Sequence, residues 1–148
     1  MTLFSTRMKI GIFLNSNESS GGTFQYNYSI YSILKGFVND DFELVALCDT
    51  KPKEELGLEN FTGARFFNSL DAMVKSGITI DAVAIASPNG YHQEQALKVL
   101  ENNWHVVVEK PFTNTSAEAK ELISLSVSTG KVCSVYQNRR YVTDFMTM

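Results

Sequence analysis

The chain has 148 residues, 44% hydrophobic and 20% charged, with a formal net charge of −3, which suits one soluble domain burying roughly two thirds of its unfolded surface. This weakly acidic balance offers no basic field to hold a polyanion, so no nucleic acid is expected as a partner. No apolar run approaches the length of a bilayer span, and "MTLFSTRMKIGIF" lacks the character of a secretory signal, so no membrane is expected as a partner and a cytoplasmic location is.

The first apolar run, "MKIGIFL" (8 to 14), reads as a strand. A glycine-rich G-x-G-x-x-G turn after it would let the backbone approach a pyrophosphate, but the residues there are Leu14, Asn15, Ser16 and Asn17, and the glycine pair Gly21–Gly22 comes later. "SSGGT" either presents N–H groups and hydroxyls to a phosphate or is a solvated loop with a glycine hinge. Leu14 and Asn15, at the strand end, are cofactor-binding candidates. "TFQYNYSIYSILKGF" then sets Phe24, Tyr28, Tyr31 and Leu34 at helical spacing.

The second strand, "FELVALC" (42 to 48), ends at Asp49. An acid in that place can accept both hydroxyls of an adenosine ribose; it can equally bond the N–H groups of its own "DTKP" turn. Lys51 and Lys53 follow and suit a 2′-phosphate, so both NAD and NADP stay open. "TKPKEELGLENFTGARFFNS" reads as a looser segment without an element of its own.

"DAVAIAS" (81 to 87) is the next strand, and "SPNGYH" ends it. Pro88 keeps Ser87 extended and Asn89 suits a helix N-cap, with His92 in the first turn. The helix over "YHQEQALKVLENN" groups Ala96, Leu97 and Leu100, and "WHVVV" (104 to 108) is the strand after it. Glu109, Lys110 and Pro111 close that strand: a charged pair at a strand end, held by an imino acid. A nicotinamide cation nearby would favour the uncharged amine of Lys110, which could then take a proton near neutral pH; without one, the pair is a solvated ion pair. "AEAKELISLSVSTG" is a helix with Ala119, Leu122, Ile123 and Ser126 on one side, opened by a Thr115/Glu118 capping box and stopped by Gly130. "KVCSVY" (131 to 136) is the last strand. None of the strands alternates cleanly, so they are expected to be covered on both faces. Cys48 and Cys133 lie inside apolar runs and are read as small buried hydrophobes in a reducing compartment.

Strand, helix and strand repeating about every 25 residues predicts a single α/β domain over 1–148, a doubly wound parallel sheet of Rossmann-like type, with its ligand at the carboxyl ends of the strands. The stretch from Asp81 through "SPNGYH", "VVVEKP" and "YQNRR" resembles the cofactor domain of the glucose-fructose oxidoreductase and myo-inositol dehydrogenase family, and the resemblance extends over residues 68 to 148. Three motifs in order carry it: Pro88, Asn89 and His92; Glu109, Lys110 and Pro111; and Asn138, Arg139 and Arg140. The resemblance implies an oxidoreductase using NAD or NADP on a sugar or polyol, with Lys110 catalytic. It implies cofactor-binding roles at Ser87, Pro88, Asn89, His92, Glu109, Lys110, Asn138 and Arg139, beside Leu14, Asn15 and Asp49. No metal is expected.

The first 35 or so residues depart from that pattern and look more like the opening of a nucleotide-sugar glycosyltransferase. Family members also continue into a substrate domain that is absent from these 148 residues. Two other readings therefore stay open: a nucleotide-sugar-binding module, and a truncated, non-catalytic interaction protein. The tail "YVTDFMTM", with Tyr141, Phe145, Met146 and Met148, would favour association if exposed, so a homo-oligomer is a further expectation.

Overall fold

The computed structural model describes residues 7–13, 42–56 and 63–137. Over these residues a six-stranded sheet runs in the order β3-β2-β1-β4-β5-β6. The strands are β1 (Met8–Phe13), β2 (Phe42–Cys48), β3 (Arg65–Phe67), β4 (Ala82–Ile85), β5 (His105–Glu109) and β6 (Cys133–Tyr136). Every neighbouring pair is parallel. The helices are α1 (Leu70–Lys75), α2 (His92–Glu101), which follows a 3₁₀ turn at Asn89–Tyr91, and α3 (Ser116–Thr129).

From β1 the chain winds outward to β2 and β3, returns past β1, and winds the other way to β4, β5 and β6. This is the doubly wound order expected from the sequence. The connections from β3 to β4, β4 to β5 and β5 to β6 all advance in one direction, so right-handed crossover puts α1, α2 and α3 on one face. Their apolar stripes meet Phe13, Cys48, Val83, Ile85, Val106 and Val108 in a single core. On the opposite face Ile12, Leu44, Leu47 and Leu56 form a second cluster. Leu44 and Leu47 are three apart and would face oppositely in a regular strand. A register shift between Ile10 and Gly11, opposite Val45, returns both to the same side.

The five strands read from the sequence are present, with ends within two residues of the expected ones. The segment read as loose contains a further strand, β3, and α1 follows directly after it. Both are too short for periodicity to show: three residues and six. Local chemistry sustains α1, since the Ser69 hydroxyl accepts the Ala72 N–H at 3.1 Å and Asp71 meets Lys98 of α2 at 2.6 Å.

Among the described residues α1, α2 and α3 account for one face of the sheet, and the helix expected over 23 to 37 lies outside those residues. Burial alternates: on β5, Val106 and Val108 are fully buried while Val107 between them is 37% exposed. The second face is apolar as well, built from Ala82, Ala84 and Val107, so the runs read as continuous. With Ile10 and Tyr136 these residues line an apolar depression of about 310 Å³.

The last helix keeps its expected ends. Glu118 N–H donates to the Thr115 hydroxyl at 3.2 Å, Thr115 N–H donates back to the Glu118 carboxylate at 3.2 Å, and Gly130 stops the helix with φ 67°, in the left-handed region. Its buried stripe is centred on Leu122, whereas Ile123 is 55% exposed, one helical step away from where the sequence grouping put it.

Candidate active site at the carboxyl ends of the strands

The strand order reverses between β1 and β4, and a parallel sheet opens a crevice at its carboxyl edge beside such a switch. Register fixes what reaches that edge. Ile85 is paired with Val108, so Ser87 and Lys110, each two residues further on, leave the sheet at the same level on strands about 4.8 Å apart. The side chains differ in setting. Ser87 is buried, Pro88 and Glu109 are half-buried, and Asn89, Lys110 and Pro111 are exposed. Tyr91, which the sequence reading did not single out, stands 50% exposed in the turn beside Asn89. Beyond the ends of β4 and β5 the chain thus sets an amide and an amine on neighbouring turns at the rim. The Lys110–Pro111 peptide bond is cis.

Asp49 closes β2 and is fully buried. Its Oδ1 accepts the Lys51 N–H at 2.8 Å, so the turn role is formed, in the place from which a ribose-binding acid acts. Cys48, before it, is fully buried too; burial, and next the Asp49 charge, push its thiol far above the ordinary thiol range. Burial pushes the Cys133 thiol up to about 11. Neither thiol is a nucleophile near neutral pH.

Among the described residues the buried polar side chains are Asp49, Ser87, His92 and Gln95, and three of these form one network. The Ser87 hydroxyl donates to the Gln95 side-chain oxygen. His92, fully buried, brings Nε2 to 2.8 Å from the Ser87 carbonyl oxygen and Nδ1 to 2.8 Å from the Pro111 carbonyl oxygen. His92 lies beneath the rim and holds the two turns from behind. The signal for this was present in the sequence: His92, Gln95, Ala96, Val99 and Leu100 occupy i, i+3, i+4, i+7 and i+8, which is one buried stripe. Two polar residues at its head mark where the core meets the site. Leu14, Asn15, Asn138 and Arg139, together with Arg140 and the glycine pair, lie outside the described residues.

The match to known proteins follows these features. The model of an oxidoreductase family with an NAD-binding Rossmann fold, that of the glucose-fructose oxidoreductase, inositol dehydrogenase and MocA proteins, matches residues 23–137, more than half of the chain. This chain belongs to that family. Its cofactor is accordingly a nicotinamide dinucleotide. The matched region begins after Gly22, so the glycine-poor first loop lies outside it.

D-glucoside 3-dehydrogenase of Escherichia coli K12 is 33% identical over 106 residues, 71% of this chain and 30% of that protein. An NADP-dependent scyllo-inositol 2-dehydrogenase of Bacillus subtilis 168 is 29% identical over 111 residues, 75% of this chain and 30% of its own length. The WlbA dehydrogenase of Bordetella pertussis, solved with NADH and UDP-GlcNAcA, superposes with a TM-score of 0.76 at 28% identity, covering 95% of this chain and 39% of that one. The chain therefore spans well under half the length of the relatives it matches. Among the described residues no helix is long and apolar enough to cross a membrane.

The part of a dinucleotide site that is described fits the group. An acid ends β2, exposed polar side chains flank the crevice beyond β4 and β5, and a Cβ added at Gly90 would meet nothing within 4 Å, so the turn leaves open space at the rim.

Proposed function

We propose that this chain is the cofactor-binding half of a sugar or polyol dehydrogenase in which Lys110 takes the proton from the substrate hydroxyl. The bound nicotinamide supplies the redox chemistry, accepting hydride at C4. The carrying observation is the placement of Lys110: an exposed amine at the end of β5, level with the Ser87–Asn89 turn on the neighbouring strand and next but one to the switch between β1 and β4. Its three donors can orient a hydroxyl, and in its uncharged form it can take the proton.

Around it, Asn89 and Pro88 border the nicotinamide, Glu109 orients the amine, and Ser87 and His92 set the turn behind. Asp49 faces the adenosine ribose, and Leu14, Asn15, Asn138 and Arg139 complete the cofactor contacts. The relatives that act on glucosides and inositols support a sugar or polyol as substrate, and their greater length supports a further, substrate-binding domain outside these 148 residues. The 148-residue chain alone is expected to bind NADH weakly and to turn nothing over.

The test is Lys110→Met in the full-length protein. Loss of one positioned acid–base group lowers kcat about 10²- to 10⁴-fold, with cofactor affinity changed little. Retained turnover removes Lys110 from the mechanism.

A further inference from the structure

His92 touches two groups, and both can only accept. Its Nε2 lies 2.8 Å from the Ser87 carbonyl oxygen and its Nδ1 lies 2.8 Å from the Pro111 carbonyl oxygen. A neutral imidazole carries a single N–H. It can satisfy one carbonyl, but must then turn a nitrogen lone pair towards the oxygen of the other. The imidazolium carries both N–H groups and satisfies both.

Two effects oppose the cation: the ring is fully buried, and it sits in the first turn of α2, where the helix dipole disfavours positive charge. Two others favour it. Charge-assisted bonds are about twice as strong as neutral ones, and a lone pair held 2.8 Å from a carbonyl oxygen is repulsive and would open the contact.

Ionisable groups stand on the elements around the ring. Glu94 and Lys98 of α2 pair with each other, and Lys98 also with Asp71 of α1. Glu118 serves the α3 cap and Glu121 accepts from Gln93, with Lys120 between them. Glu109 and Lys110 end β5, and Tyr91 precedes the ring in the turn; the β4 end brings only Ser87, Pro88 and Asn89. Among the described residues two carbonyl oxygens answer the two ring nitrogens.

We propose that His92 is a positioning residue, a doubly protonated clamp that ties the turn carrying Pro88 and Asn89 to the turn carrying Lys110 and holds both sides of the crevice at one spacing. Loss of its second proton turns one tie from attractive to repulsive, and the two turns separate. The clamp rests on geometry alone; its consequence for catalysis rests on the role proposed for Lys110.

Two-bond ¹⁵N–¹H spectra of the labelled 148-residue chain, taken from about pH 5 to pH 8, test it directly. The chain has two histidines, and His105→Gln assigns them. His105 is the internal control: its Nδ1 lies 2.9 Å from the Val132 N–H and accepts from it, which fixes the neutral ring as the Nε2–H tautomer. For His92 both nitrogens are expected at protonated positions at the acidic end. As the second proton leaves, the Asn89 and Phe112 amides should shift with one shared midpoint. A ring that keeps both protons to the upper end, with both amides static, supports the clamp equally. One bare nitrogen throughout, or amides that titrate with different midpoints, overturns it.

In the full-length protein His92→Gln, which offers one donor where two are needed, is expected to lower kcat about tenfold to a hundredfold through misplacement. KM should change little, and any pH step due to His92 should vanish. If that variant fails to fold, the spectra of the unaltered chain still decide. A protonated clamp beside an active Lys110→Met enzyme would refute the catalytic role of Lys110 alone. A neutral His92 beside an inactive Lys110→Met enzyme would refute the clamp alone.

Discussion

Leu122 and Ile123 are adjacent on α3, and truncating either to alanine removes the same three carbons, so the pair measures which way the helix faces. Leu122 is fully buried, and three methylene equivalents at about 0.8 kcal/mol each cost about 2.4 kcal/mol in lost transfer energy. A residual cavity adds about 24 cal/mol per Å³. Because α3 is the outermost helix, with partly buried Leu125 and Cys133 beside the core, it can settle inward and close much of that space. The total is then about 3 kcal/mol, near the lower end of measured Leu→Ala costs. Ile123 is 55% exposed; less than half the transfer energy applies, no cavity forms, and alanine's better helix propensity returns about 0.4 kcal/mol. Its truncation should cost about 0.5 to 1 kcal/mol. Urea unfolding of both variants with unchanged m-values reads the two costs directly. At about 2–4 °C per kcal/mol for a chain of this size, Leu122→Ala should lose about 6–12 °C in Tm and Ile123→Ala under about 4 °C. Equal costs, or a larger cost at Ile123, would mean that α3 is rotated by about 100° and would refute the placement of its buried stripe.

Thr115→Ala removes the hydroxyl that receives the Glu118 N–H and should cost about 1 kcal/mol, seen as a fall of about 2–4 °C in Tm; an unchanged Tm would show that water replaces the cap without loss. Cys48 should react with a disulfide reagent at pH 8 only as fast as the chain unfolds, half-buried Cys133 should react sooner, and rapid labelling of Cys48 in the folded protein would contradict its burial. Because both thiols are raised above the ordinary value of 9.0, Cys133 to about 11, the unfolded chain ionises first. Their contribution to stability is therefore whole below about pH 9 and declines as pH rises through about 9 to 11. Chemical denaturation across that range should show the decline, and a cysteine-free double variant, Cys48→Ser with Cys133→Ser, should show a smaller one. Ser87→Ala leaves the buried Gln95 oxygen without the donor it has in the Ser87 hydroxyl and should cost about 1–3 kcal/mol, whereas Asn89→Ala at the exposed rim should change Tm by less than about 2 °C.

Local chemistry made several features legible. The capping box and Gly130 bracket α3 because each satisfies backbone groups within a few residues of itself, and no distant contact is needed to predict them. The doubly wound order followed from strands and helices recurring at short intervals, since right-handed crossover leaves few ways to lay them out. The crevice at the strand ends came with that order. The motif set around Pro88, Lys110 and Asn138 indicated the family.

Other features were decided only when the chain closed on itself. β3 and α1 are shorter than a readable period, and their partners β2 and α2 lie elsewhere in the sequence. The exposed side of β5 is apolar like its buried side, so composition could not tell which valine would meet water; Val106 and Val108 face the helices because β4 and β6 set the register. His92 shows the difference most plainly. Its spacing with Ala96 and Val99 determined that it turns inward, but the two carbonyls that meet it come from Ser87 and from Pro111, five and nineteen residues away, and only tertiary packing brings both to one ring. Residue type sets the hydrogen-bonding capacity of a side chain, and the fold alone supplies the partners that decide which of its protonation states is held.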